Sequence, residues 1–298
     1  MTATILDGRP VARDIRERAR GELKRFSSVY SWTPGLAVLA VGDDPSAVAY
    51  QRAIVTAAAA IDLPVSEHSL PASSRQQDLN ALLDELNDDD AVSGILVLQP
   101  LPPHLSRIEV ADRVDPLKDI DGITTFNAGR LFHDDRDVLA PSTPAGGMAL
   151  LKHYQIPLSG AHATVIGRSP VVGRPMAAML LAENATVTTC HSRTRDLPRF
   201  TRQADILVSA AGRPGTVTAS MVKPGATIID FGVNFIDGHM VGDVDADSVS
   251  DVAGALTPVP GGTGRVTTAI LLRNTVKAAT LQQRRRSSHT AFATRAAV

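Results

Sequence analysis

The feature that most limits what this chain can fold into is a rhythm. Short, continuously apolar runs alternate with stretches of helical period along almost its whole length. Val11, Ile15, Ala19 and Leu23 recur every four residues and mark one helical face, with Pro10 suited to the first turn. Residues 36–41 then read as a buried strand. Ser46 is expected to cap a helix carrying Tyr50, Ile54, Ala57, Ala58 and Ile61. Ser74 and Gln77 read as a capping box that opens a helix with Leu79, Leu82, Leu83 and Leu86 inward. Residues 94–98 form a second apolar strand. Strands separated by helices imply a parallel sheet covered on both faces.

An irregular stretch rich in proline and aspartate fills residues 100–142, and long loops of this kind usually carry function. Thr143-Pro144 then reads as an N-cap and first turn, opening a helix through Met148, Leu151 and Lys152 that bridges to a second domain. There the rhythm restarts with strands at 163–166, Thr186–Cys190, Ile206–Ser209 and Thr227–Asp230. The expected fold class is therefore α/β, with two α/β domains flanking a cleft, the C-terminal one of Rossmann type. Residues 1–142 form the first domain, rejoined by a last helix at about 266–282. Residues 143–265 form the second, and the polar segment 283–298 is expected to be a solvated, disordered tail.

Composition narrows the function classes. A net charge of −1 gives no reason to expect a nucleic acid partner. Cys190 is the single cysteine, so no intramolecular disulfide can form, which fits a reducing compartment. No apolar run reaches the roughly 18 to 20 residues of a membrane span, and Met1-Thr2-Ala3-Thr4 has no signal-peptide character. A cytoplasmic protein without a metal centre is expected.

The segment from Val165 to Pro175 reads as strand, tight turn and helix start. Gly167 permits the turn, and amides between Ser169 and Gly173 can face a diphosphate at the positive end of the next helix. This is a variant of the dinucleotide fingerprint, and a purely structural turn remains an alternative on the loop alone. NAD-selective folds place a carboxylate at the end of the second strand. Here that position reads Cys190-His191-Ser192-Arg193-Thr194. Arg193, Ser192 and Arg168 suit a 2′-phosphate instead, which favours NADP.

Ten segments in order go beyond a generic nucleotide fold. They are Gly94-Ile-Leu-Val, Lys118-Asp-Ile-Asp-Gly122, Ser142-Thr-Pro-Ala-Gly146, Val165-Ile-Gly-Arg-Ser169, Val172-Gly-Arg-Pro175, Ala204 to Arg213, Val222-Lys-Pro-Gly225, Gly232-Val-Asn234, Gly242-Asp-Val-Asp245 and Thr257-Pro-Val-Pro-Gly-Gly262. Together they resemble the methylenetetrahydrofolate dehydrogenase/cyclohydrolase family, FolD, from about Leu6 to Thr275. The resemblance implies NADP-dependent oxidation of 5,10-methylenetetrahydrofolate to the methenyl cation, hydrolysis to 10-formyltetrahydrofolate, and a homodimer. It implies that folate lies in the cleft, with Tyr50 stacked on its aminobenzoate ring and Asp121 bonded to the pterin. Gln99, Pro260, Gly261, Gly262 and Arg265 would border that substrate. Gly167, Arg168, Ser169, Val172, Gly173, Ser192, Arg193 and Val233 would hold the cofactor. Without the resemblance, Tyr50 reads as a half-buried core residue and Asp121 as a turn former before Gly122.

The chain departs from the family pattern at one microsite. The lysine expected four residues after the tyrosine, credited with proton transfer in hydrolysis, is Ile54. The strand that usually ends Val-Gln-Leu-Pro reads Val97-Leu98-Gln99-Pro100, which sends the glutamine to the opposite face. Arg52 sits two residues from position 54 and points elsewhere around the helix. Arg265 adds a cation where the family loop has none, and Ser142 stands where cysteine is common. Hydride transfer is expected to survive and hydrolysis to be weak or absent. Two other readings are a non-catalytic folate- or nucleotide-binding paralogue and a dehydrogenase retargeted to another substrate.

Overall fold

The computed structural model describes residues 2–135 and 137–296, with side chains described as far as residue 287. The chain folds into two compact units, and its first and last helices each contribute to both. One unit comprises residues 15–130, 135–140 and 271–298; the other comprises 1–14, 131–134 and 141–270.

The chain begins with β1 (Thr4–Ile5) and α1 (Gly8–Tyr30). It then builds β2 (Gly35–Val41), α2 (Pro45–Ala59), β3 (Val65–Leu70), α3 (Gln76–Asp88), β4 (Val92–Val97), α4 (Arg107–Arg113) and α5 (Thr125–Phe132). In the first unit a three-stranded parallel sheet runs β3-β2-β4. Its central strand is apolar throughout because alternate side chains enter different clusters. Leu36, Val38 and Ala40 join Leu96 and Leu98 in one, with residues of α1 and α2. Ala37, Leu39 and Val41 join Ile95 and Val97 in the other, with Leu79, Leu83 and Leu86 of α3.

The helices start close to the expected places, with different caps. Asp44, not Ser46, caps α2, accepting from the amides of Ser46 and Ala47 at 2.9 and 3.1 Å. At α3 the Asp78 carboxylate accepts the Arg75 amide at 3.0 Å, so the helix opens two residues after Ser74. Strand β3 was not anticipated. As an edge strand it buries Val65 and Leu70 only in part and leaves its intervening residues polar, which hides it from a search for apolar runs.

The second unit continues with α6 (Ser142–His153), β5 (His162–Ile166), α7 (Gly173–Ala182), β6 (Thr186–Cys190), α8 (Leu197–Thr201), β7 (Ile206–Ser209) and β8 (Thr227–Asp230). Next come β9 (Asn234–Ile236), β10 (His239–Val241), α9 (Ala246–Val249), β11 (Ala255–Leu256) and α10 (Thr263–Ala296). The six-stranded sheet has the order β1-β11-β8-β7-β5-β6 and is parallel throughout. Alternation recurs here: Ile206 and Val208 face Met176 and Leu180 of α7, while Leu207 and Ile228 enter a cluster with Val217, Val222 and Val249. Residues 1–14, expected in the first domain, group with this sheet because β1 pairs with β11, Thr4 opposite Ala255. Asp237-Gly238, both at positive φ, close the β9–β10 hairpin, a signal present in the sequence and missed.

Residues 283–296, expected to be disordered, have helical backbone continuous with α10, and residues 297–298 lie outside the described residues. Among the described residues no helix is long and apolar enough to cross a membrane, and no group of three His, Cys, Asp or Glu could hold a metal ion.

Candidate active site

In the first unit the chemistry-bearing residues sit on α2, on the chain leaving β4 and on the loop before α5. Tyr50, half-buried on α2, packs against the cluster that contains Ile54 and Leu98. Ile54, one turn further along, is wholly buried. Leu98 is buried in that same cluster, and Gln99 is exposed. Ile54 and Leu98 are thus two members of one apolar core. Leu98 and Gln99, successive residues leaving β4, face opposite ways, one into the cluster and one to solvent.

The Lys118-Asp-Ile-Asp-Gly122 segment divides into support and presentation. Lys118 is buried, and its ammonium donates to the carbonyls of Leu86, Asn87 and Asp89 at 3.0, 2.6 and 2.8 Å, closing the C-terminal end of α3. Burial lowers its pKa. Asp119, buried with its pKa raised by desolvation, accepts from the amides of Ile123 and Thr124 and from Asn127 Nδ2 at 3.0, 2.9 and 2.8 Å. The Ile120 carbonyl accepts from Asn274 Nδ2 at 2.8 Å. These bonds fix both sides of the half-buried Asp121, and Gly122 follows at φ 62°. Lys118→Met is expected to leave three carbonyls without their donor and to cost about 2–4 kcal/mol, read as a fall in denaturant midpoint.

In the second unit four loops leave the carboxyl ends of adjacent strands β6, β5, β7 and β8, the edge at which open α/β sheets bind ligands. The switch point lies between β5 and β7. Gly167 takes φ 135°, and a β-carbon there would collide with the Ala210 carbonyl. A β-carbon on Gly173 would likewise collide with the Gly167 carbonyl, so α7 starts hard against the turn. This bare-backbone cradle fits the diphosphate of a dinucleotide. The amides of Val172 and Gly173 bond the Ser169 hydroxyl oxygen at 3.2 Å each, which fixes the loop that turns into α7. Arg168 lies exposed after β5, and Ser192 and Arg193 lie exposed after β6. The turn that carries Ser192 and Arg193 is tied by the His191 amide to Thr194 Oγ1 at 2.9 Å. Val233 is exposed after β8.

Pro260, Gly261 and Gly262 form the turn into α10, with Gly261 at φ 117° and its carbonyl accepting the Gly8 amide at 2.9 Å. Arg265 is exposed in the first turn of that helix and helps to lower the pKa of Asp7, an effect led by Arg9. The residues expected at the substrate therefore fall in both units: Tyr50, Gln99 and Asp121 in one, Pro260 to Arg265 in the other.

A buried carboxylate pair under this edge was not anticipated. Asp230 ends β8 and accepts the amides of Gly232, Asp243 and Val244 at 2.7, 3.1 and 3.0 Å. Burial pushes its pKa up to about 6, the nearby Asp243 adding to the rise and the three amides opposing it. A folded-state value above the ordinary aspartate value of 3.8 means this group stabilises the fold below 3.8, and that stability is lost as pH rises through about 6. The stability difference between the parent protein and Asp230→Asn is thus expected to move toward the parent by roughly 3 kcal/mol as pH falls across that window. Denaturant titrations at several pH values read it directly.

Residues 6–121 match the family profile described as tetrahydrofolate dehydrogenase/cyclohydrolase, catalytic domain, and residues 141–283 match that family's NAD(P)-binding domain. The chain belongs to the tetrahydrofolate dehydrogenase/cyclohydrolase family. It is 49% identical over 290 residues to the bifunctional protein FolD of Roseiflexus sp. (strain RS-1), covering 97% of this chain and 100% of that protein. Among solved structures it resembles the FolD methylenetetrahydrofolate dehydrogenase/cyclohydrolase of Campylobacter jejuni (40% identity, TM-score 0.91, 94% of this chain and 99% of that one). It also resembles the Trypanosoma brucei FolD complexed with NADP and an inhibitor (34% identity, TM-score 0.90, 95% and 99%). Family membership makes the six-stranded unit an NAD(P)-binding domain, in agreement with its glycine cradle.

Proposed function

We propose that this family member oxidises 5,10-methylenetetrahydrofolate with NADP and has lost effective hydrolysis of the product. The observation that carries this reading is the burial of Ile54 in one apolar cluster with Leu98, beside motifs for nucleotide and pterin that are otherwise retained.

The cradle of Gly167, Arg168, Ser169, Val172 and Gly173 holds the diphosphate, and Arg168, Ser192 and Arg193 meet the 2′-phosphate. Val233 borders the nicotinamide, and the bound cofactor supplies the hydride acceptor. Tyr50 lies against the aminobenzoate ring and Asp121 accepts the paired N–H donors of the pterin, while Pro260, Gly261, Gly262 and Arg265 border the remainder. Oxidation moves one hydride from the methylene carbon and leaves a cation spread over N5 and N10. The protein has to align carbons and exclude water, and it passes no proton.

Hydrolysis asks for more. Water adds to the methenyl carbon, a proton leaves that water, and the bond to N5 breaks with N5 taking up a proton. A positioned acid–base group supplies about 10²–10⁴-fold at such a step. Isoleucine has no proton to give or take, and Leu98 offers it no polar partner.

The reading predicts NADPH formation from methylenetetrahydrofolate, followed by its absorbance. No turnover, with both ligands still bound, would favour a non-catalytic paralogue; turnover only with another hydride donor would favour a retargeted dehydrogenase. We extend the proposal to a homodimer, supported by exposed apolar side chains at Phe235, Ile236 and Met240. Sedimentation analysis of the purified chain tests it.

A further inference from the structure

We infer that Asp243 is the positioning residue of the nicotinamide half of the cofactor site, holding the loops after β7 and β8 in one fixed register. Its carboxylate accepts five bonds. Oδ2 receives the Ala211 amide at 2.7 Å, the Gly212 amide at 3.0 Å and the Ser209 hydroxyl at 3.2 Å. Oδ1 receives the Arg213 amide at 2.8 Å and Asn234 Nδ2 at 3.0 Å. Three successive amides after β7 and the first side chain of β9 thus converge on one buried group. The loop they shape carries Ala210, whose carbonyl abuts the Gly167 cradle across the switch point. Between Asp230 and Asn234 runs the loop bearing Val233.

The backbone around the pair is built to admit it. A β-carbon on Gly232 would collide with the amide and carboxylate of Asp243, and one on Gly242 would collide with the carboxylate of Asp230. Asp230 in turn accepts the Asp243 amide, while its own amide donates to Thr257 Oγ1 at 2.8 Å. Two carboxylates stay buried beside one another because backbone donors surround them, an arrangement costly for any purpose that apolar packing could serve. Its return is fixed amide geometry where the reacting ring must be placed to within a fraction of an ångström.

This inference rests on the proposed NADP site, and the test separates the two. Asp243→Asn keeps the shape but turns an N–H₂ toward either the Arg213 side or the Ala211 and Gly212 amides. At least one amide then loses its acceptor. The KM for NADP is expected to rise about tenfold or more, the equivalent of one or two such bonds, with the KM for methylenetetrahydrofolate changed less than about twofold. Adenosine 2′,5′-bisphosphate, which lacks the nicotinamide half, should inhibit parent and variant alike. Leu207→Ala, a core truncation in β7, serves as a control that lowers stability without touching the loops. Equal losses for NADP and the bisphosphate, or an equal rise in KM in Leu207→Ala, overturn the positioning role. A parent chain that binds neither NADP nor the bisphosphate overturns the site itself, and the inference with it.

Discussion

Ile54→Lys combined with Leu98→Gln is expected to raise the hydrolysis of 5,10-methenyltetrahydrofolate by about 10²-fold or more above the parent chain, the smaller part of what a positioned acid–base group supplies. Both changes are needed for a physical reason. Ile54 is wholly buried, and a lone ammonium in that cluster would be desolvated, its pKa forced down by about 3–5 units and the fold destabilised accordingly. Ile54→Lys alone should therefore lower the denaturant midpoint sharply and hydrolyse weakly. Glutamine at 98, on the strand face that enters the same cluster, supplies the polar partner and should recover part of the stability. If the double variant folds, keeps dehydrogenase activity and still fails to hydrolyse, position 54 is not what limits the second step.

Arg168→Ala and Arg193→Ala should erase the preference for the phosphorylated cofactor. Each exposed guanidinium is expected to contribute a charge-assisted bond to the 2′-phosphate, about 1.5–3 kcal/mol or roughly 10–100-fold in affinity. Together they should lower the NADP-to-NAD selectivity by about 10²–10⁴-fold while leaving NAD kinetics and thermal stability nearly unchanged. Kinetics with both cofactors check this. Equal weakening of NADP and NAD would place the arginines on the shared diphosphate instead.

Much of the framework was legible because the central strands β7 and β8 are short buried runs and the edge strand β6 is rich in β-branched residues. Thr186–Cys190, Ile206–Ser209 and Thr227–Asp230 were read to the residue. Strand β3 was not, since it is an edge strand whose interior residues Ser66, Glu67, His68 and Ser69 are polar and not β-branched. The place of residues 1–14 was hidden because β1 is two residues long and its partner lies about 250 residues away in sequence. At the site, the departure at Ile54 and Leu98 could be seen residue by residue. Only the fold showed that both residues enter one core. The Asp230–Asp243 pair was missed although Gly232 and Gly242 signalled a close approach, because a glycine tells that something is near and not what it is.

The central claim is that one of two linked activities has been lost through loss of its proton-transfer group. It is tested most directly by supplying 5,10-methenyltetrahydrofolate to the purified chain and following its absorbance beside an enzyme-free control. The same preparation must reduce NADP when given methylenetetrahydrofolate, so that its competence is not in question. The account predicts decay at the spontaneous rate. Decay faster than the control, in proportion to enzyme, would contradict it.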